Sequence, residues 1–126
     1  MMYNKIVQDY FFEPLHIGSL DLNHPDTVHY RSGSGNSNSN VIIDFYLRSN
    51  HEGLITKASF KTNGNPFIIA GLEWLCRQLE GHNQEQMRPI SYKTLMEVLE
   101  IPSTQSPIAV KMEEVYKQIM ILMKKN

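Results

Sequence analysis

The sequence predicts an α+β fold: a small three-stranded antiparallel meander with helices packed on one face. Three observations carry this. Apolar and polar residues alternate over Val41 to Arg48 and again over Leu54 to Thr62, with a turn ending in Gly53 between them. From Gly64 onward the apolar period lengthens to that of a helix. The chain has 126 residues, 41% hydrophobic and 20% charged, which suits one ordinary domain spanning 1–126.

In chain order, Ile6, Val7, Tyr10 and Phe11 recur at helical spacing, so Tyr3 to Phe12 is a short amphipathic helix ended by Pro14 and Gly18. Residues 19 to 26 read as an exposed turn, and Thr27 to Arg31 as a strand. Ser32 to Asn40 holds only small polar side chains and glycines, which suits a flexible loop or the tip of a hairpin. In the second strand Ile43, Phe45 and Leu47 face inward against Asp44, Tyr46 and Arg48. In the third, Thr56, Ala58 and Phe60 oppose Lys57, Ser59 and Lys61 more weakly. Ile68, Leu72, Leu75, Cys76 and Leu79 form one stripe of a helix that stops at Gly81. Ser91 caps a short helix through Leu99, and Pro102 ends it. Val110 to Met123 mark a last helix of about four turns.

The 12 basic and 13 acidic residues leave a net charge of -1, without the concentrated basic excess of a nucleic-acid binder. No apolar run approaches the roughly 20 residues that span a bilayer. Residues 1 to 20 lack the basic start and apolar stretch of a signal peptide. One cysteine, Cys76, allows neither an internal disulfide nor a site built on several thiolates. A soluble cytoplasmic protein is expected, with no nucleic-acid or membrane partner.

The element order and particular residues resemble the U-type iron–sulfur cluster assembly scaffolds, the IscU and NifU N-terminal-domain family. Tyr3, Val7, Tyr10, Pro14, Gly18, Ser19 and Asp21 match that family's opening pattern. Asn50-His51-Glu52-Gly53-Leu54-Ile55, then Ala58-Ser59-Phe60-Lys61-Thr62-Asn63-Gly64, look like its N-D-E-G-I-I and A-R-F-K-T-Y-G runs. Leu99-Glu100-Ile101-Pro102 sits where the family has L-E-L-P. The resemblance implies the IscU/NifU-N fold and a place where three cysteines and an aspartate hold a [2Fe–2S] cluster or zinc.

At those places this chain departs from the family. The first cysteine's loop reads Asn36-Ser37-Asn38-Ser39-Asn40, and Val41 sits where an ungapped alignment puts the aspartate. The second cysteine's turn reads Thr62-Asn63-Gly64-Asn65-Pro66, and the third's Thr104-Gln105-Ser106-Pro107. Clusters and zinc select anionic sulfur, imidazole or carboxylate, and neutral amides and hydroxyls supply neither the charge nor the softness. Asn38, Ser39, Val41, Asn65, Ser106 and Pro107 are therefore vestigial positions, with no metal, cluster or other cofactor expected. Asn65-Pro66 and Ser106-Pro107 instead place a favoured N-cap residue before a proline at the first helical position.

Cys76 lies on an apolar stripe and reads as a core thiol. His16, His24, His29, His51 and His82 show no metal-ligand spacing and read as surface or turn residues, with His24 and His29 the pair that could meet near the old site. Helical spacing makes Met112, Met120 and Met123 core filler, or an adaptable partner surface if exposed. By resemblance, the chain acts without catalysis, binding a cysteine desulfurase or another assembly protein through Tyr3, Val7 and Tyr10 of its first helix. Ile101-Pro102-Ser103-Thr104-Gln105 departs from the family's chaperone-binding L-P-P-V-K. Two alternatives stand beside this reading. One takes ligands from outside the chain or from a dimer; the other is a binding module unrelated to iron–sulfur chemistry.

Overall fold

The computed structural model describes residues 3–33 and 40–125. Its elements run α1 (Lys5–Phe12), β1 (Thr27–Ser32), β2 (Ile43–Ser49), β3 (Ile55–Thr62), α2 (Pro66–Leu79), α3 (Tyr92–Leu99) and α4 (Ser106–Lys125), with 3-10 turns at 84–86 and 103–105. The strands pair antiparallel in the order β1-β2-β3. Helix α4 lies against β1 and β2, and α2 against β3, so the core forms between sheet and helices. Phe45, Leu47, Phe60, Leu72, Leu75 and Leu79 are completely enclosed there. Gly71 sets how closely the helices approach, since a Cβ built on it would stand 2.3 Å from Met112 Sδ. No helix among the described residues is long and apolar enough to cross a membrane.

The α+β meander and its helices are as the periodicity predicts, with differences that have local causes. In β2 the outward residues Asp44 and Tyr46 are also buried, at 7% and 8% exposure. Cross-strand neighbours cover them: the His29 ring stacks on Tyr46 at 4.5 Å, and Arg31 lies along Asp44. In β3 Thr56 is exposed and Ile55 is buried, because the ladder shifts register at Arg48 and Ser49. A bulge of this kind moves one residue out of phase and turns its neighbour inward.

Helix α1 begins at Asn4, whose Oδ1 accepts the Val7 amide at 2.9 Å and whose Nδ2 donates to Val98 O at 2.9 Å. Val7 has no exposure and belongs to the core, so it is unavailable as the partner contact expected of it. Tyr3 and Tyr10 are half-buried, Tyr3 edge-on to Phe67 and Tyr10 beneath the Arg77 guanidinium at 4.1 Å. The face of α1 marked by these residues packs on α2.

The chain after α1 is fixed by one carboxylate. Glu73, on α2, has no exposure. Its Oε1 accepts the amides of Leu15 at 2.9 Å and His16 at 3.0 Å, while Oε2 faces His16 Nδ1 at 2.6 Å and accepts Arg77 Nε at 2.8 Å. Beyond it, Phe60 N donates to His16 O and Gly18 N to Phe60 O, each at 2.9 Å, which lays residues 16–18 along the edge of β3. Glu80 Oε2 accepts the next free edge amide, Ala58 N, at 2.9 Å.

Helix α2 starts as expected, with Asn65 Oδ1 accepting the Ile68 amide at 3.1 Å and Pro66 opening the first turn. The expected Ser106 cap is a correction. Ser106 is already helical (φ -54, ψ -31), because the 3-10 turn at 103–105 runs directly into α4 and starts the helical path four residues before Val110. The residue before that turn, Pro102, has no side-chain cap bond. Asn65→Ala should therefore cost about 0.5–2 kcal/mol, as lost N-caps do, while Ser106→Ala should stay within about 0.5 kcal/mol of the parent. Urea melts measure both, and equal losses at the two positions would contradict this assignment.

Candidate functional site

Three separate segments meet at one end of the sheet, at the positions singled out in the sequence. The chain entering β2 is held by Asn63, whose Oδ1 accepts Ile42 N at 2.8 Å and whose Nδ2 donates to Asn40 O at 2.9 Å. Thr62 Oγ1 donates to Ile42 O at 2.7 Å and accepts Gly64 N at 3.1 Å. The start of α2 is tied to the approach to α4 through Asn65 Nδ2, which donates to Gln105 Oε1 at 3.3 Å. Helix α4 reaches back to the first segment through Lys111, whose Nζ donates to Val41 O at 3.0 Å. Gly33 makes this approach possible: it adopts φ +94, and a Cβ on it would fall 2.0 Å from Val41 O and 3.1 Å from Lys111 Nζ.

Val41, Asn65, Ser106 and Pro107 thus lie on segments tied to one another, while Asn38 and Ser39 lie outside the described residues. Amides, a hydroxyl and an ammonium make the ties. Sequence reasoning missed Asn63, Gln105 and Lys111. A usable signal existed for Lys111, a cation in the N-terminal half of a helix, where the dipole gives it no support.

A carboxylate beside these segments, Asp44, is already engaged. On the outer sheet face Asp44 accepts Arg31 Nε at 2.9 Å and Arg31 NH2 at 3.0 Å, and His29 Nε2 approaches it at 2.6 Å. A shallow cavity of about 280 Å³ beside it is lined by Arg31, Ile42, Asp44, Lys61, Thr62 and Asn63. The hydrogen bonds from Arg31 hold the Asp44 carboxyl below its ordinary range against the opposing effect of burial, and those from His29 add to the shift. Among the described residues no group of three or more His, Cys, Asp and Glu is placed to hold a metal ion. The donor set present at the meeting segments does not fit a cluster or zinc, both of which require anionic or imidazole ligands.

Cys76 has no exposure, and burial raises its thiol well above the usual range, with Glu73 and Glu80 adding to the effect. That makes it the core thiol that its stripe predicts. His16 is not a surface histidine: its Nε2 approaches Glu80 Oε1 at 3.2 Å while Nδ1 faces Glu73. The signal for this was the Glu73–Arg77 pair, spaced i, i+4 on a helix that is otherwise apolar but for Gln78. His24 and His29 are engaged separately, His24 with the amide of Asp26 and His29 with Asp44.

The Asp44 pair makes stability depend on pH in one direction. A carboxyl whose folded pKa is depressed stabilises the fold above its unfolded value, and that contribution disappears as pH falls through the folded value. Asp44→Asn should therefore be less stable than the parent at neutral pH, with the gap closing below the ordinary carboxylate range near pH 4. Denaturant midpoints measured across pH 2 to 7 check this, and a gap independent of pH would contradict it.

Comparison with known proteins places this geometry. The sequence profile of the NifU-like N terminal domain matches residues 2–124. The chain is 27% identical over 120 residues to the iron-sulfur cluster assembly scaffold protein IscU of Escherichia coli strain K12, covering 93% of this chain and 90% of that one. It is 26% identical to IscU of Buchnera aphidicola subsp. Acyrthosiphon pisum, over 93% and 91% of the two chains. The crystal structure of a nitrogen-fixing NifU-like protein (N-terminal) from Brucella abortus shares the fold. Its TM-score is 0.67 at 14% identity, covering 98% of this chain and 94% of that one. The chain belongs to the NifU-like N-terminal domain family, which includes the IscU iron–sulfur cluster assembly scaffolds.

Proposed function

We propose that this chain is a member of the scaffold family that does not itself hold a cluster and acts by binding a component of the assembly machinery, with a cysteine desulfurase as the first partner. One observation carries the reading. The segments that meet at the loop end are tied by Asn63, Asn65 and Lys111 through neutral hydrogen bonds and an ammonium. A cation donating into this end opposes a second cation there, and asparagine side chains already engaged with backbone and side-chain partners are not free to ligate. The one thiol, Cys76, is sealed in the core with a raised pKa, so it is a poor acceptor for sulfane sulfur.

The fold and the loop end are retained while the ligand chemistry is absent, which favours recognition over assembly. The contact would use the loop end together with the half-exposed sides of Tyr3 and Tyr10. The test is sedimentation of the purified chain with the cysteine desulfurase of its own organism, with and without an intact IscU scaffold as competitor. A complex that the intact scaffold displaces is expected. Absence of any complex would overturn this reading in favour of a duty outside iron–sulfur assembly.

A further inference from the structure

Two surfaces outside the loop end have complementary character. The first is a ridge formed where the chain leaves α1 and crosses to β1. Phe12, Leu15, Ile17 and Leu22 are 75%, 74%, 58% and 56% exposed, four of the seven exposed large apolar side chains among the described residues. Residues 12 to 26 contain no Lys or Arg, and Glu13, Asp21 and Asp26 are exposed among them, so acidic groups outnumber the one exposed cation beside Leu15 and Ile17, Lys57 on the β3 edge. The ridge is held firmly at its centre, not left loose. The Leu15 amide is anchored on buried Glu73, and residues 16–18 are paired with Phe60 at the β3 edge. Apolar side chains on a fixed backbone lose little freedom on docking, which favours association.

The second surface is a groove between the C-terminal half of α4 and residues 87–90, with a cavity of about 320 Å³. Its floor is apolar, formed by Met87, Ile90, Met120 and Ile121, and its rim carries Arg88, Lys117 and Lys124. The Tyr116 hydroxyl donates to Arg88 O at 2.7 Å and fixes one wall to the other. Neither 87–90 nor 115–125 contains an Asp or Glu. Lys117 pairs with Glu113 at 3.5 Å, while Arg88 and Lys124 form no ion pair among the described residues.

We propose that the acidic apolar ridge of one copy docks into the basic apolar groove of a second copy. Phe12 and Leu15 supply anchors for the groove floor, and Glu13 and Asp21 meet the cationic rim. Methionines at the floor adapt to the shape of an inserted ring. Because the two surfaces lie on different elements of each copy, the contact is heterologous, so copies add head to tail into a closed ring or an open chain. The charged rim makes the contact sensitive to salt, since exposed charges are screened beyond about 8 Å at physiological ionic strength.

Sedimentation velocity over a range of protein concentrations tests this. The parent should show a mean sedimentation coefficient that rises with concentration, less so at high salt. Phe12→Asp removes the ridge anchor and Ile121→Asp spoils the groove; each side chain is exposed, and each variant should lose the concentration dependence. Leu15→Asp is a second ridge variant with the same expected loss. Phe12→Asp keeps an intact groove and Ile121→Asp an intact ridge, so an equimolar mixture of the two should form a dimer and stop at two copies. A parent that is monomeric at every concentration would overturn the proposal. So would variants that associate like the parent, or a mixture that fails to pair.

Discussion

A carboxylate shut away from water organises the N-terminal third of this fold. Glu73 sits on the apolar side of α2, where an ionised group without partners would be expelled or neutralised. It is retained because two backbone amides, the Arg77 guanidinium and the His16 ring converge on its oxygens. Those bonds fix where the chain turns after α1 and bring residues 16–18 onto the free edge of β3, with Glu80 covering the amide beside them. An edge strand that would otherwise present unpaired amides is closed over part of its length. The same anchoring fixes the backbone of Leu15 and Ile17, so the centre of the ridge follows from the buried carboxylate.

The opposite requirement governs the loop end. A metal-holding scaffold needs loops that converge while leaving anionic side chains free. Here the described segments meet, and their side chains are engaged: Asn63 on the chain entering β2, Asn65 on Ile68 and Gln105, and Lys111 on Val41. Each bond is modest alone, about 0.5–1.5 kcal/mol net, but together they tie the three described segments to one another. Asp44, which lies beside Ile42 and Asn63, is likewise committed to Arg31 and His29. Family membership sets the architecture; these particular residues decide which chemistry it can support.

Much of the fold is legible in the sequence because periodicity and caps are local. The Ile68–Leu79 stripe, the positive φ at Gly53 and the Asn65 cap all follow from short-range rules. What was not legible depends on partners distant in sequence. Asp44 and Tyr46 read as solvent-facing until Arg31 and His29 on β1 cover them. His16 reads as a surface residue until Glu73, 57 positions later, accepts it. Ser106 reads as a cap because its neighbour is proline, but a 3-10 turn upstream already supplies the helical path. At the candidate site the sequence shows which ligands are missing. It does not show that Asn63 and Lys111 tie the segments there, since neither lies at a ligand position of the family pattern.

If the loop end keeps the arrangement of the family's metal site and only the ligands differ, restoring thiolates there should restore metal binding. Zinc affinity, measured by competition against a chromogenic chelator, tests it most directly on the parent and on a variant combining Ser39→Cys, Asn65→Cys and Ser106→Cys. Three thiolates with a fourth ligand from water satisfy the four-coordinate preference of zinc. The parent should bind no zinc tightly, and the variant should bind it with an affinity that weakens below neutral pH as the thiolates protonate. Tight stoichiometric zinc on the parent, or a variant indistinguishable from it, would contradict the account.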